Sequence, residues 1–312
     1  MSYACTEIKF KSRDDKNTVS AVLYTPKSGE VRGIIQIAHG MVDHMGRYKN
    51  IADYFCKRGY VVAGNDHLGH GKTAENEGDY GYFAKNGGVG YVIRDMHKLN
   101  RILRETYRNV PIVMLGHSMG SFLCRLYAVK YPHTLAGVII HGTAGRNPLS
   151  GVARLLSSLI ILFRGDKYRS KLLKSVSTGS YHKHFPKEEG ASSWLTADTA
   201  ELCKYKDDPY TSFTFTVSGY RDLFTMLSES NSRAWFQAYP KGMPTLIMSG
   251  EDDPVGNFGK GVNQVYKQLL VKGALDLELK LYPDARHELF NELKREEYFA
   301  DILTFTERVI KR

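Results

Sequence analysis

The chain has 312 residues, 42% of them apolar and 24% charged, with a formal net charge of +10. That is enough to bury a sizeable core in one large domain, and the composition is that of an ordinary globular protein. The opening residues Met1 to Glu7 carry no signal-peptide pattern, no apolar run has membrane-spanning length, and the scattered basic residues accompany no nucleic-acid motif, so no nucleic-acid partner is expected.

In chain order, Ile8-Lys9-Phe10-Lys11 alternates, Asp14 to Asn17 turns, and Val19 to Tyr24 resumes, which predicts a hairpin at a sheet edge. Gly33 to Ala38 is a nearly continuous apolar run of the kind buried on both faces of a parallel sheet. A helical segment from Tyr48 to Arg58 stops at Gly59, and Tyr60 to Gly64 is the next strand. Val89 to Tyr107 reads as a long amphipathic helix ended before Pro111. The apolar run from Ile112 stops abruptly in Gly116-His117-Ser118-Met119-Gly120, and a helical pattern starts at once around Phe122. Leu135 to Ile140 is another buried strand.

The rhythm then breaks. Residues 145–222 hold a basic amphipathic segment around Leu155 to Phe163, a Gly/Ser/His-rich stretch, and a helix from Ala197 with Thr196 as its cap. It resumes with a helix from Asp222 to Tyr239 and a strand from Thr245 to Met248. A helix from Gly261 to Leu270, a strand from Leu277 to Leu281 and a last helix from Glu296 to Arg312 complete the chain. This alternation predicts an α/β fold with a mostly parallel sheet and helices on both faces. Residues 1–144 and 223–312 form its core, and 145–222 are an insertion within one sheet.

Strand, tight turn with serine, then helix is the setting of a nucleophile elbow. A serine hydroxyl needs a base, and that base must open at the same carboxyl-terminal edge of the sheet. His287 directly follows the last predicted strand and is the only one of eleven histidines beyond position 184. The acid should follow the preceding strand, where Glu251-Asp252-Asp253-Pro254 stands. Asp253 is chosen over Asp252 because it is the fourth residue of a G-x-x-D turn and Pro254 fixes the chain direction after it. Ser118, Asp253 and His287 are thus the expected triad, in the order Ser…Asp…His. The backbone N–H groups of Met119, after the nucleophile, and of Met41, after His39-Gly40 at a strand end, are the expected oxyanion donors.

His39 to Tyr48, Asn65 to Thr73 and Gly116 to Gly120 closely resemble the monoacylglycerol lipase and lysophospholipase branch of the α/β-hydrolase superfamily. The resemblance spans essentially the whole chain, with Asp43 where the pattern usually has Glu and Thr73 where Ser is commoner. It implies an α/β-hydrolase fold, with 145–222 as the cap over an acyl pocket and Asp66 with Gly69-His70-Gly71 buttressing the elbow. It also implies an ester hydrolase acting on small lipid-like substrates through an acyl-enzyme. No cofactor or metal is expected, since no G-x-G-x-x-G follows a strand and His44, His67 and His70 lack H-E-x-x-H spacing.

Four dispersed cysteines without a C-x-x-C pair suggest reduced thiols in a cytoplasm. Leu155 to Phe163 with its basic rim suggests peripheral contact with a membrane or micelle. The competing reading is a peptidase of the proline aminopeptidase type, in which Glu188, Glu189 or Glu201 would bind the substrate's amino terminus. The surplus of basic residues in the insertion weighs against it.

Overall fold

The computed structural model describes residues 3–311. Its single sheet has the strand order β1-β2-β4-β3-β5-β6-β7-β8. β1 (Tyr3–Lys11) and β2 (Thr18–Pro26) form the predicted edge hairpin. β2 also runs antiparallel to β4 (Tyr60–Asn65), and every later pairing is parallel. Those strands are β3 (Gly33–Ala38), β5 (Ile112–His117), β6 (Gly137–His141), β7 (Thr245–Gly250) and β8 (Leu277–Tyr282).

Side chains alternate between two apolar layers, as the period of a strand requires. Val113 and Leu115 of β5 face α1 (Lys49–Cys56) and α10 (Arg295–Ile310), whereas Met114 faces the opposite layer. That layer holds α2 (Gly88–Thr106), α3 (Met119–Lys130) and α9 (Lys260–Val271). From β3 the chain passes to β4 on one side and then to β5 on the other. The carboxyl ends of β3 and β5 therefore flank a topological switch point, where parallel sheets place their ligands.

Between β6 and β7 lie α4 (Ser150–Arg164), α5 (Lys171–Thr178), α6 (Thr199–Asp207), α7 (Val217–Ser230) and α8 (Arg233–Ala238). α4 packs along α7 and covers the carboxyl edge of the sheet with it.

The sequence misplaced some helix limits, and side-chain caps explain where. The helix expected from Ala197 starts at Thr199, because Asp198 accepts from the N–H groups of Ala200 and Glu201. Thr196 instead gives its hydroxyl to Asn291 O. The helix expected over Asp222 to Tyr239 is two. Thr216 caps the first at Gly219 N, and Ser232 caps the second at Trp235 N. The Arg312 end of the predicted last helix lies outside the described residues.

Candidate active site

β5 ends at His117 and α3 begins at Met119, which leaves Ser118 alone in the turn at φ 54°, ψ −121°. A non-glycine residue there costs roughly 1–3 kcal/mol and persists only where its surroundings over-determine it. Here Ser118 N–H donates to His141 O (3.0 Å), and Ser118 O accepts from the N–H (2.8 Å) and hydroxyl (2.6 Å) of Ser121. The flanking glycines are steric necessities. A Cβ on Gly120 would collide with Ala38 O, and one on Gly116 with Gly120 O.

His287 sits on the loop after β8 and places Nδ1 2.9 Å from Asp253 Oδ2. Asp253 is completely buried. Its Oδ2 also accepts from Ser249 Oγ (3.2 Å) and its Oδ1 from Val255 N (2.8 Å), so the carboxylate is fixed at both oxygens. Asp252 is exposed, and its N–H donates to Ala285 O. With Nδ1–H committed to Asp253, the imidazole presents Nε2 as an acceptor. Nε2 is buried and has no hydrogen-bond partner among the described residues, and His287 lines the same cavity as Ser118.

Two further histidines back the candidate triad, and the sequence reading passed over both. Leu289 N–H donates to His141 Nε2 (3.4 Å), so His141 carries its proton on Nδ1 and donates to His117 Nδ1 at 2.9 Å. Burial holds both well below the usual histidine range, helped by repulsion from His141 and His287 at His117 and from His287 at His141, so they are neutral packing partners. The His287 ring lies between His117 (4.8 Å) and Trp194 (5.0 Å).

Gly40 and Met41 leave the end of β3, and Asp43 fastens the loop that they begin. Its carboxylate accepts from Gly40 N (3.1 Å), His44 N (2.8 Å), Arg47 Nη1 (3.1 Å) and Tyr48 OH (2.7 Å). Burial opposes the charge, but the Arg47 guanidinium and these donors outweigh it and hold the carboxyl well below its usual range. Arg47 also pairs with Glu288 through two contacts, at 2.9 and 2.6 Å.

Asp66 accepts from Met45 N (2.8 Å) and Lys72 N (2.7 Å), so it braces this loop, where the sequence had suggested that it buttresses the elbow. His44, His67 and His70 do not converge on a common point. His44 reaches Asp208 (2.8 Å), whereas His67 packs on His39 at 4.1 Å and His70 stacks on Phe83 at 5.6 Å.

Met41, Ser118, Met119 and His287 all line one cavity of about 470 Å³. Met119 opens α3, so its N–H is one of the unpaired amides at a helix start, where negative charge is favoured. The lining is rich in apolar side chains, among them Phe122, Ala153, Phe215, Tyr220, Leu223, Phe224 and Leu227. It also includes Asn147, Ser177, Thr178, Ser192 and Glu288. Glu188, Glu189 and Glu201 are absent from the lining; Glu189 pairs with Arg286 and Glu201 with Lys204.

Residues 29–294 match the family described as serine aminopeptidase, S33. A monoacylglycerol lipase of Mycolicibacterium smegmatis is 26% identical over 286 residues, 91% of this chain and 90% of that protein. The human monoglyceride lipase is 26% identical over 281 residues, 86% of this chain and 80% of that protein. A thermostable carboxyl esterase from Bacillus coagulans, solved in complex with glycerol, superposes with a TM-score of 0.91. It is 31% identical and the match covers 98% of this chain and 99% of that one.

Proposed function

The chain belongs to the serine aminopeptidase, S33 family of α/β-hydrolases and is a carboxylic ester hydrolase, and from that premise we propose that it cleaves monoacylglycerols or lysophospholipids through an acyl-enzyme on Ser118. In this reading Ser118 Oγ attacks the ester carbonyl while His287 Nε2 takes its proton. Asp253 keeps the imidazole in the reactive tautomer and stabilises the imidazolium. The N–H groups of Met41 and Met119 stabilise the oxyanion of the tetrahedral intermediate. His287 then protonates the leaving alcohol, and water, activated by the same imidazole, releases the acid.

One observation carries the reading. The Nε2 lone pair, the strained serine and many aromatic and aliphatic side chains line a single cavity, which is what an acyl chain ending in an ester would fill. Residues 145–222 serve as the cap over that cavity, and residues 1–144 with 223–312 form the hydrolase core. The peptidase alternative is disfavoured because Glu188, Glu189 and Glu201 do not line the cavity, and Asp43 and Glu288, which do, are both engaged by Arg47. The exposed apolar side of α4 and α5 supports peripheral contact with a lipid surface, and four free thiols support action in a cytoplasm.

A hydrolysis panel on the purified protein tests the reading. Monoacylglycerols or lysophospholipids should be turned over far faster than aminoacyl amides, and the opposite ranking would replace it with the peptidase alternative. Ser118→Ala should keep the fold and lose both hydrolysis and labelling by a fluorophosphonate probe.

A further inference from the structure

The loop that carries His287 is held by the segment inserted between β6 and β7. His287 N–H donates to Trp194 O (3.3 Å) and Glu288 N–H to Leu195 O (2.7 Å), so two consecutive amides of the loop find their acceptors in that segment. Arg286 reaches across the same junction. Its guanidinium grips the Glu189 carboxylate through both terminal nitrogens, and Nη1 also donates to Ser193 O (2.7 Å) and Thr196 O (3.2 Å). The Phe185 ring lies 4.4 Å beneath it. Arg286 is 13% exposed and Glu189 25%, so this ion pair is largely withdrawn from solvent. Glu292 closes the other side, accepting from Ala197 N (3.1 Å) and from Arg286 N (2.9 Å).

Asp253 fixes the imidazole at one atom, which leaves the main chain of residues 286–288 to be positioned by something else. The insertion supplies the acceptors, and Arg286 with Glu189 fastens the insertion. We propose that Arg286 and Glu189 are positioning residues: they clamp residues 189–197 onto the histidine loop and thereby hold His287 where it can take the proton of Ser118. This rests on the assignment of His287 as the general base. Residues 189–197 of the cap are then also part of the catalytic frame.

The test uses a soluble aryl ester, with kcat expressed per active site titrated by a fluorophosphonate. Displacing a catalytic group by about 1 Å lowers turnover on the order of 10²-fold. Arg286→Met should approach that loss in kcat, and KM should rise with it because Ser192 and Trp194 of the clamped segment line the cavity. Arg286→Lys should recover at least about tenfold of the loss, since it keeps the charge and a donor. Glu189→Gln should fall between Met and wild type, and it carries the test if Arg286→Met does not fold.

A merely structural role would lower the thermal midpoint and the titratable fraction while leaving kcat per site unchanged, and that outcome overturns the proposal. His287→Ala separates the two readings. Wild-type turnover in that variant removes the assignment of the base. Loss of turnover there, with wild-type kcat in both Glu189→Gln and Arg286→Met, removes only the clamp.

Discussion

The completely buried Asp253 carboxylate accepts hydrogen bonds from Ser249, Val255 and His287. Asparagine in its place would offer an N–H or the wrong lone pairs to Nδ1, and the imidazole would settle in the unreactive tautomer. Asp253→Asn is therefore expected to lower kcat by about 10²–10⁴-fold with the fold retained. Asp252→Asn should stay within about twofold, because an exposed turn carboxylate contributes little to the site. Equal losses in steady-state kinetics would show that the turn as a whole, and not one carboxylate, sustains activity. The three candidate triad residues were legible because each follows a strand whose end is written in a short apolar run. Arg47 and His141 were not. Arg47 meets Glu288 across 241 positions and His141 meets Leu289 across 148, separations at which local pattern carries no information.

At the scale of elements, the strand and helix rhythm was readable wherever apolar periodicity decided the structure. It failed where a polar side chain decided it. Arg125 of α3 is completely buried, although its place in the sequence looks like any helical arginine. It donates to Thr143 Oγ1 (3.3 Å), Ala144 O (3.3 Å), Asn231 Oδ1 (3.1 Å) and Ser230 O, and lies 4.5 Å over Trp235. A cation at the carboxyl end of α7 suits the helix dipole, and it marks the break between α7 and α8 that periodicity had bridged.

Asp222 on α7 presents the opposite case. Its Oδ2 is buried against Gly88 at the start of α2 with no hydrogen-bond partner among the described residues, and burial pushes its pKa up to about 7; Arg221 opposes this and Glu229 adds to it. The unfolded aspartate loses its proton near pH 4, so from there to about 7 the folded state holds the extra proton. The group's contribution to stability therefore falls as pH rises through that window and is at its most unfavourable above it. Asp222→Asn cannot ionise. It should match the wild type near pH 4 and melt about 2 °C or more higher at pH 8. A midpoint difference that is the same at both pH values would refute the ionisation account.

The whole molecule is lopsided in its apolar surface. Val152, Leu155, Leu159, Leu162 and Phe163 occupy the outer face of α4, and Leu172 and Val176 continue it on α5, all of them exposed. The inner face of α4 packs Ala153, Leu156, Ile160 and Ile161 onto the core, so the helix is apolar on both sides, which a helix facing only water has no reason to be. Arg154, Arg164, Lys171 and Lys174 rim the patch, and Leu149, Lys174 and Val176 also line the mouth of the cavity. A lipid surface lying on this side would deliver an acyl chain directly to Ser118. No helix among the described residues is long and apolar enough to cross a membrane.

Leu162 and Phe163, at 75% and 79% exposure, lie outside the cavity lining and can be changed without touching the chemistry. Inserting one such side chain into hydrocarbon is worth about 1.5–3 kcal/mol. The double change Leu162→Ser, Phe163→Ser should therefore lower co-sedimentation with anionic phospholipid vesicles by at least about tenfold, and added salt should weaken the wild type further by screening the basic rim. Turnover of a soluble short-chain ester should stay at the wild-type value, while hydrolysis of vesicle-borne monoacylglycerol should fall with the binding. Unchanged vesicle binding would mean that this face is not the docking surface. Unchanged hydrolysis despite lost binding would mean that substrate reaches the cavity from solution.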